Sequence, residues 1–132
     1  MNNPHNLAAI KPGEIVLDLG SGLAVDSFIA ATRTGETGKV VGLDLAKAEV
    51  VHANKRAEER GISDRVRFVQ GDMEKMSFEN ERFDVVISNG AFCLAPNKAA
   101  AFSEIYRVLK PGGRFSVSTS TMKVKIDQAD GK

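Results

Sequence analysis

In EIVLDLGSGLA, residues 14–24, a short apolar run passes directly into a glycine-rich turn. The apolar run from Glu14 to Gly20 follows a Pro-Gly turn, which is typical of a buried strand. Helical spacing of apolar side chains then predicts a helix over residues 25–34. Its predicted apolar face consists of Val25, Phe28, Ile29 and Thr32. A strand that enters a helix through glycines is the first unit of an α/β fold.

The alternation of strand and helix continues outward from this stretch. Further strands are predicted over residues 39–45, 65–70, 83–88 and 114–119, and helices over residues 46–60 and 98–109. The apolar stripes of these two helices are Ala46, Val50, Ala53 and Ala57, and Phe102, Ile105, Tyr106 and Leu109. Right-handed crossovers between such units predict a doubly wound, mainly parallel sheet with helices on both faces. We expect one domain over residues 1–132, with its core in residues 14–120.

The composition excludes several classes of protein. The 132 residues are 42% hydrophobic and 27% charged, as in ordinary globular domains, and 18 Lys and Arg balance 17 Asp and Glu to a net charge of +1. This charge gives no electrostatic case for a nucleic acid or a membrane as partner. The single cysteine excludes an internal disulfide and a multi-thiolate metal site. With no secretory signal and no bilayer-spanning apolar run, a cytoplasmic protein without a bound metal is expected.

The candidate binding residues follow the first strand, because ligands of doubly wound sheets bind at the carboxyl ends of the strands. The turn holds Asp18, Gly20, Ser21 and Gly22. Val25 stands where a dinucleotide fingerprint needs its third glycine. A carboxylate at Asp18 repels a pyrophosphate but suits an ammonium or sulfonium group. The turn therefore favours a cationic ligand, although a plain strand-to-helix turn has a similar pattern.

The ends of the next strands carry further acidic residues. Asp44, after the second strand, can accept both hydroxyls of a ribose or can serve as the N-cap of the next helix, and the two roles can coexist. Gly71, Asp72 and Met73 follow the third strand. Asp72 can accept the exocyclic amine of an adenine while Met73 packs on its face, or Asp72 can be a solvated turn residue. Residues 88–92 are expected to form the floor of the cleft.

Taken in order, these strand ends resemble the class I S-adenosylmethionine-dependent methyltransferases. The matching stretches are VLDLGSGLAVD (residues 16–26), GLDL (42–45), VQGDMEKMSF (69–78), FDVVISN (83–89) and EIYRVLKPGGRF (104–115). Within this class the chain is most similar to small-molecule methyltransferases, including the arsenite, quinone and sterol methylating groups.

The resemblance implies a Rossmann-like methyltransferase fold, S-adenosylmethionine (SAM) as cofactor with S-adenosylhomocysteine as product, and a small-molecule methyl acceptor. It implies that Asp18, Gly20 and Gly22 hold the methionine end of the cofactor and that Asp44 binds the ribose hydroxyls. It also implies that Leu45 packs on the adenine and that Asp72 and Met73 flank it. Asn89 would contribute from the end of the fourth strand. It names no catalytic residue.

Three departures from the family pattern carry expectations of their own. Ala24 replaces the usual third glycine of the first motif, a change that a methyl group can tolerate. Gly90 stands where arsenite methyltransferases have a cysteine, and the lone Cys93 cannot form a three-thiolate arsenic site. The class usually has seven strands, so the sheet is expected to be truncated after its fifth strand.

An exposed fifth strand would seek a partner strand. The tail over residues 121–132 alternates apolar and polar residues, and it is expected either to be disordered or to form a strand that folds back or pairs with a second copy. Two functions other than methyl transfer remain open at this point: a non-catalytic SAM-binding or assembly module, and an NAD(P)-dependent oxidoreductase.

Overall fold

The computed structural model describes residues 10–22, 24–89 and 91–118, with the side chains of Asn89, Cys93, Val117 and Ser118 left out. The strands are β1 (Ile15–Leu19), β2 (Lys39–Asp44), β3 (Val66–Gln70), β4 (Phe83–Asn89) and β5 (Leu109–Ser118). The helices are α1 (Val25–Thr34), α2 (Lys47–Glu59) and α3 (Lys98–Val108), and a 3₁₀ helix spans Ala91–Leu94. The predicted elements are present, with most ends shifted by one residue.

The strands form one parallel sheet in the order β3-β2-β1-β4-β5. The chain builds outward from β1 to β3 and then crosses back to β4 on the other side of β1. The strand order therefore reverses between β1 and β4, which is where a doubly wound sheet opens a crevice for a ligand. This topology confirms the predicted fold class.

Alternate residues of each strand divide the core between the two faces of the sheet. On one face, α1 and α2 cover a cluster that includes Val16, Val40 and Phe68. On the other face, α3 covers a cluster that includes Leu17, Leu43 and Val86. The strands are buried on both faces, as the continuous apolar runs predicted.

The predicted apolar faces of two helices are partly wrong. On α1, Val25 is 57% and Ile29 37% exposed, and the residues that pack on the sheet are Ser27, Phe28, Ala30, Ala31 and Thr34. The buried face thus consists mainly of small side chains with Phe28 among them, and Val25 lies outside it. On α3, Tyr106 is 78% exposed, while Ala101, Ile105 and Val108 are buried. On α2, Val50, Ala53 and Ala57 are buried as predicted, and Ala46 is exposed before the helix begins.

The fifth strand begins earlier than predicted. Leu109 pairs with Phe83, and the register then shifts so that Arg114 pairs with Val85. The segment between them, which contains Pro111, Gly112 and Gly113, is thus a bulge inside the strand, with Gly112 at φ 81°. The expected tail strand over residues 121–132 lies outside the described residues.

Candidate functional site

The glycine-rich loop leaves β1 in left-handed backbone conformations. Gly20 has φ 67° and Gly22 has φ 51°. The amides of Gly20 and Ser21 both donate to the carbonyl oxygen of Leu43, at 2.7 and 3.1 Å, and these bonds hold the loop against β2. A Cβ on Gly20 would lie 2.1 Å from the Cβ of Ala91, so a side chain there would collide with the 3₁₀ helix after β4.

Ala24 takes the third left-handed position of the loop. Its φ is 70°, it is fully buried, and its amide donates to the carbonyl oxygen of Ser21 at 2.7 Å. A left-handed conformation costs a non-glycine residue about 1–2 kcal/mol. The alanine therefore keeps the backbone shape that a glycine would supply, at some cost in strain.

Asp44 joins the glycine-rich loop to the start of α2. Its Oδ2 accepts a hydrogen bond from the amide of Gly22 at 2.7 Å, and its Oδ1 accepts one from the amide of Ala46 at 2.9 Å. The N-cap position of α2 is Ala46, so the predicted N-cap role of Asp44 is wrong in detail, although its carboxylate does bind the first free amide there. Because a carboxylate has about four lone-pair sites, two amides leave room for further donors.

Asp18 is a buried carboxylate beside the same loop. It is 2% exposed, and its Oδ2 accepts a hydrogen bond from the Oγ of Ser27 on α1 at 2.6 Å. A cleft of about 320 Å³ opens next to it. The residues that line this cleft are Asp18, Gly20, Ser21, Gly22, Ala24, Val25 and Asp26.

The charge of this cleft is negative. Among the described residues that line it, Asp18 and Asp26 are carboxylates and none is basic. Carboxylates attract a cation most strongly where burial lowers the effective dielectric constant. The cleft is therefore suited to an ammonium or sulfonium group, which is the kind of ligand expected from Asp18 in the sequence.

Sequence reasoning missed Asp26 and Val25 as parts of the site, and it placed Ala91 in the expected floor of the cleft without giving its contact with Gly20. Asp26 lies in the first turn of α1, where an acidic residue is common because it complements the helix dipole, so its position gives no separate signal. Val25 was assigned to the helix core but lines the cleft instead. The contact of Ala91 with Gly20 follows from the pairing of β1 with β4, which the sequence does not display.

The expected adenine residues lie at the ends of β2 and β3. Leu45 is 68% exposed, directly after Asp44. The amide of Gly71 donates to the carbonyl oxygen of Asp44 at 3.0 Å, which brings this segment beside β2. Exposed Asp72 binds the amide of Glu74 through Oδ1 at 2.9 Å, as a turn residue does.

The two remaining predicted site residues, Met73 and Asn89, have few described contacts that bear on cofactor binding. Met73 is half-buried and packs partly on the core beneath α3, which leaves only part of its side chain for an adenine face. Asn89 ends β4, next to Ser118 of β5, and its side chain is not among those described. Hydrogen bonds thus join Gly20 and Ser21 to Leu43, and Gly22 and Gly71 to the adjacent Asp44. Asp18 lines the cleft beside them.

The described residues contain neither a metal-ligand cluster nor a membrane-crossing helix. Within residues 10–22, 24–89 and 91–118, no group of three or more His, Cys, Asp and Glu side chains is placed to hold a metal ion. In the same part of the chain, no helix has the length and apolar character that crossing a membrane requires.

Comparison with known proteins places this chain in one family. Residues 10–130 match a family model described as a methyltransferase domain. The chain therefore belongs to the methyltransferase domain family, which confirms the resemblance seen in the sequence. Membership of this family argues against the NAD(P)-dependent oxidoreductase alternative.

Several relatives are long proteins with named activities. An arsenite methyltransferase of Halobacterium salinarum is 40% identical over 116 residues, which cover 88% of this chain and 29% of that protein. A sterol 24-C-methyltransferase of Gibberella zeae is 43% identical over 126 residues, which cover 96% of this chain and 32% of that protein. The chain thus spans about a third of the length of these curated relatives.

A solved structure shows the same fold with a cofactor. A geranyl diphosphate methyltransferase in complex with SAM superposes with a TM-score of 0.78 at 30% identity. The match covers 86% of this chain and 45% of that one. This likeness supports the Rossmann-like methyltransferase fold that the sequence predicted.

Proposed function

We propose that this chain binds SAM and that its methyl group is transferred to a small-molecule acceptor. The observation that carries the proposal is the cleft beside the glycine-rich loop, where Asp18 and Asp26 present carboxylates and no described lining residue is basic. SAM carries a sulfonium and an ammonium group and has no phosphate. A nucleotide with a pyrophosphate would be repelled by the same carboxylates.

The position of Asp44 beside the glycine-rich loop indicates how the adenosyl part of SAM would lie. Asp44 stands beside the loop with acceptor capacity for the two ribose hydroxyls, since its carboxylate meets only the amides of Gly22 and Ala46 in the contacts described above. Exposed Leu45 would cover one side of the adenine. The methionine end would then run along Gly20, Ser21 and Gly22 toward Asp18.

The chemistry asked of the protein is modest. Bound SAM supplies a methyl group already activated by the positive sulfur. The loop residues and the strand ends would hold this group in line with the acceptor and exclude water from it. No side chain of the described residues is assigned as a general base.

The acceptor is proposed by class only. The named relatives act on arsenite, sterols and geranyl diphosphate, which are all small molecules. The 132 residues contain one cysteine, so a three-thiolate arsenic site cannot form from these residues alone. We propose an acceptor of small-molecule size whose pocket lies next to the open side of the cleft.

Asp44→Ala tests the cofactor assignment. The variant loses a charged acceptor for the ribose and a partner of the Gly22 amide, and we expect S-adenosylhomocysteine to bind about tenfold more weakly or worse in calorimetry. Asp64→Ala is the matched control, because Asp64 is an exposed carboxylate before β3, at the amino ends of the strands, whereas Asp44 lies at their carboxyl ends. Equal affinities in wild type and Asp44→Ala would contradict the ribose assignment.

A non-catalytic SAM-binding or assembly module is the second candidate function. Incubation of the 132-residue chain with methyl-labelled SAM and a panel of sterols, quinones and prenyl diphosphates separates the two. Label transfer to any of these acceptors would exclude the non-catalytic module. Cofactor binding without transfer to any member of the panel would support it.

We also propose that the free side of β5 pairs with another strand. Among the described residues, β5 pairs with β4 alone, and exposed Tyr106 lies on the neighbouring helix. Either residues 121–132 or a second copy of the chain would supply the strand. Light scattering at high concentration separates them, because only the second copy doubles the mass.

A further inference from the structure

Ser27 makes an unusual contact for a serine inside a helix. Such a hydroxyl commonly points to solvent or bonds back to a carbonyl of the preceding turn. Here the Oγ of Ser27 reaches from α1 to β1 and donates to Oδ2 of Asp18 at 2.6 Å. Both side chains are buried, Ser27 completely and Asp18 to 98%. The contact is therefore a charge-assisted hydrogen bond shielded from water.

We propose that Ser27 is a positioning residue that aims the Asp18 carboxylate at the ammonium group of the SAM amino-acid end. This proposal rests on the function proposed above and adds a residue to it. Asp18 lines the cleft, whereas Ser27 is not among the cleft-lining residues and so acts through Asp18. A short O–H···O⁻ bond restricts the rotation of the carboxylate and fixes the direction of its charge.

A second buried hydroxyl on the same helix separates this role from a general structural one. Thr34 is also fully buried, but its Oγ1 donates to the carbonyl oxygen of Ala31 at 3.2 Å, within α1. It lies at the end of the helix remote from the cleft. Removing this hydroxyl should affect the helix but not the orientation of Asp18.

Two ligands distinguish an oriented carboxylate from a merely stable fold. S-adenosylhomocysteine carries the ammonium group, whereas 5′-methylthioadenosine has the same adenosine and thioether without the amino-acid end. We expect Ser27→Ala to weaken S-adenosylhomocysteine about tenfold in calorimetry while methylthioadenosine changes by less than about twofold. Thr34→Val should leave both affinities unchanged.

The proposal would be overturned if Ser27→Ala weakened the binding of both ligands equally, or if it did not weaken the binding of S-adenosylhomocysteine. Ser27→Cys covers the case in which Ser27→Ala does not fold, as judged by circular dichroism. The thiol nearly keeps the shape of the side chain but is a weak donor, so it should weaken S-adenosylhomocysteine selectively and to a smaller extent. A wild-type chain that binds neither ligand would instead refute the proposed function itself.

Discussion

At the scale of single residues, left-handed backbone and close contacts shape the site. Gly20 has a positive φ and also lies against Ala91, so it satisfies two constraints at once. Gly61, after α2, also has a positive φ, of 74°, but a Cβ there would meet no atom within 4 Å. This pair allows the close contact to be measured apart from the backbone conformation.

Gly20→Ala should destabilise the protein by about 3 kcal/mol or more, because strain of about 1–2 kcal/mol adds to an overpacked contact of similar cost. Gly61→Ala should cost only the strain, about 1–2 kcal/mol. Urea unfolding followed by circular dichroism measures both. Similar losses in the two variants would show that the loop does not depend on its approach to the 3₁₀ helix.

Much of the site could be predicted at this scale, because strand ends are recognisable in the sequence and their polar residues converge in a parallel sheet. Asp18 and Asp44 were found in this way, and both belong to the loop region in the structure. Asp26 could not be predicted, because an acid in the first helical turn has an ordinary structural reason. The side chain that fixes Asp18, Ser27, was equally hidden, since its contact crosses from helix to strand.

At the scale of elements, α3 holds the irregular segment between β3 and β4. Arg107 donates from Nη1 to the carbonyl oxygen of Phe78 at 2.8 Å and from Nη2 to that of Met76 at 3.1 Å. Glu104 accepts the amide of Met76 at 2.6 Å and pairs with Arg107 at 2.9 Å. The same segment contains Asp72, an expected adenine residue, so this clamp connects α3 to the proposed cofactor site.

Arg107→Met should loosen that segment. Methionine keeps an apolar stem but removes the donors to two carbonyl groups, and a loss of about 1–3 kcal/mol is expected. Hydrogen exchange should rise over residues 71–82 and stay unchanged over α1. Arg67→Met, an exposed arginine on β3, is the control. Unchanged hydrogen exchange over residues 71–82 in the Arg107→Met variant would show that Arg107 does not hold this segment.

The order of elements was predictable, but their packing faces were not. Periodicity identified each helix, yet Val25 and Tyr106 turned out exposed, because which side of a helix meets the sheet is decided by tertiary packing. The stretch Pro111-Gly112-Gly113 after α3 did not reveal that Leu109 already pairs with β4. Strand pairing depends on residues distant in sequence, which local patterns do not record.

At the scale of the whole molecule, ion pairs join distant parts of the chain. Arg114 of β5 binds Glu14, before β1, through two hydrogen bonds of 2.8 and 3.1 Å. Burial alone would raise the pKa of Glu14, but the Arg114 guanidinium and the Lys11 amide outweigh it and lower the pKa. The hydrogen bond from Arg107 lowers the pKa of Glu104 against a smaller opposing effect of burial.

These shifts predict a loss of stability in acid. A carboxyl group whose pKa is lower in the folded state stabilises the fold fully above its unfolded pKa, about 4.3 for Glu. That contribution disappears as the pH falls through the lower, folded pKa. The free energy of unfolding, measured in urea from pH 7 to pH 3, should therefore decrease below about pH 4.3.

The double variant Glu14→Gln and Glu104→Gln should be less stable than wild type at pH 7 and should lose less stability on acidification. Glu58→Gln, on the exposed side of α2, serves as the control and should follow the wild-type curve. If the free energy of unfolding of the double variant fell as steeply with decreasing pH as that of wild type, other carboxylates would be responsible for the loss of stability in acid.

A crystal structure with S-adenosylhomocysteine would show whether the negatively charged cleft at the switch point of the sheet binds the cofactor. We predict the ribose on Asp44, the adenine beside Leu45 and the ammonium group beside Asp18. A ligand bound elsewhere, or an empty cleft at a saturating ligand concentration, would contradict the account.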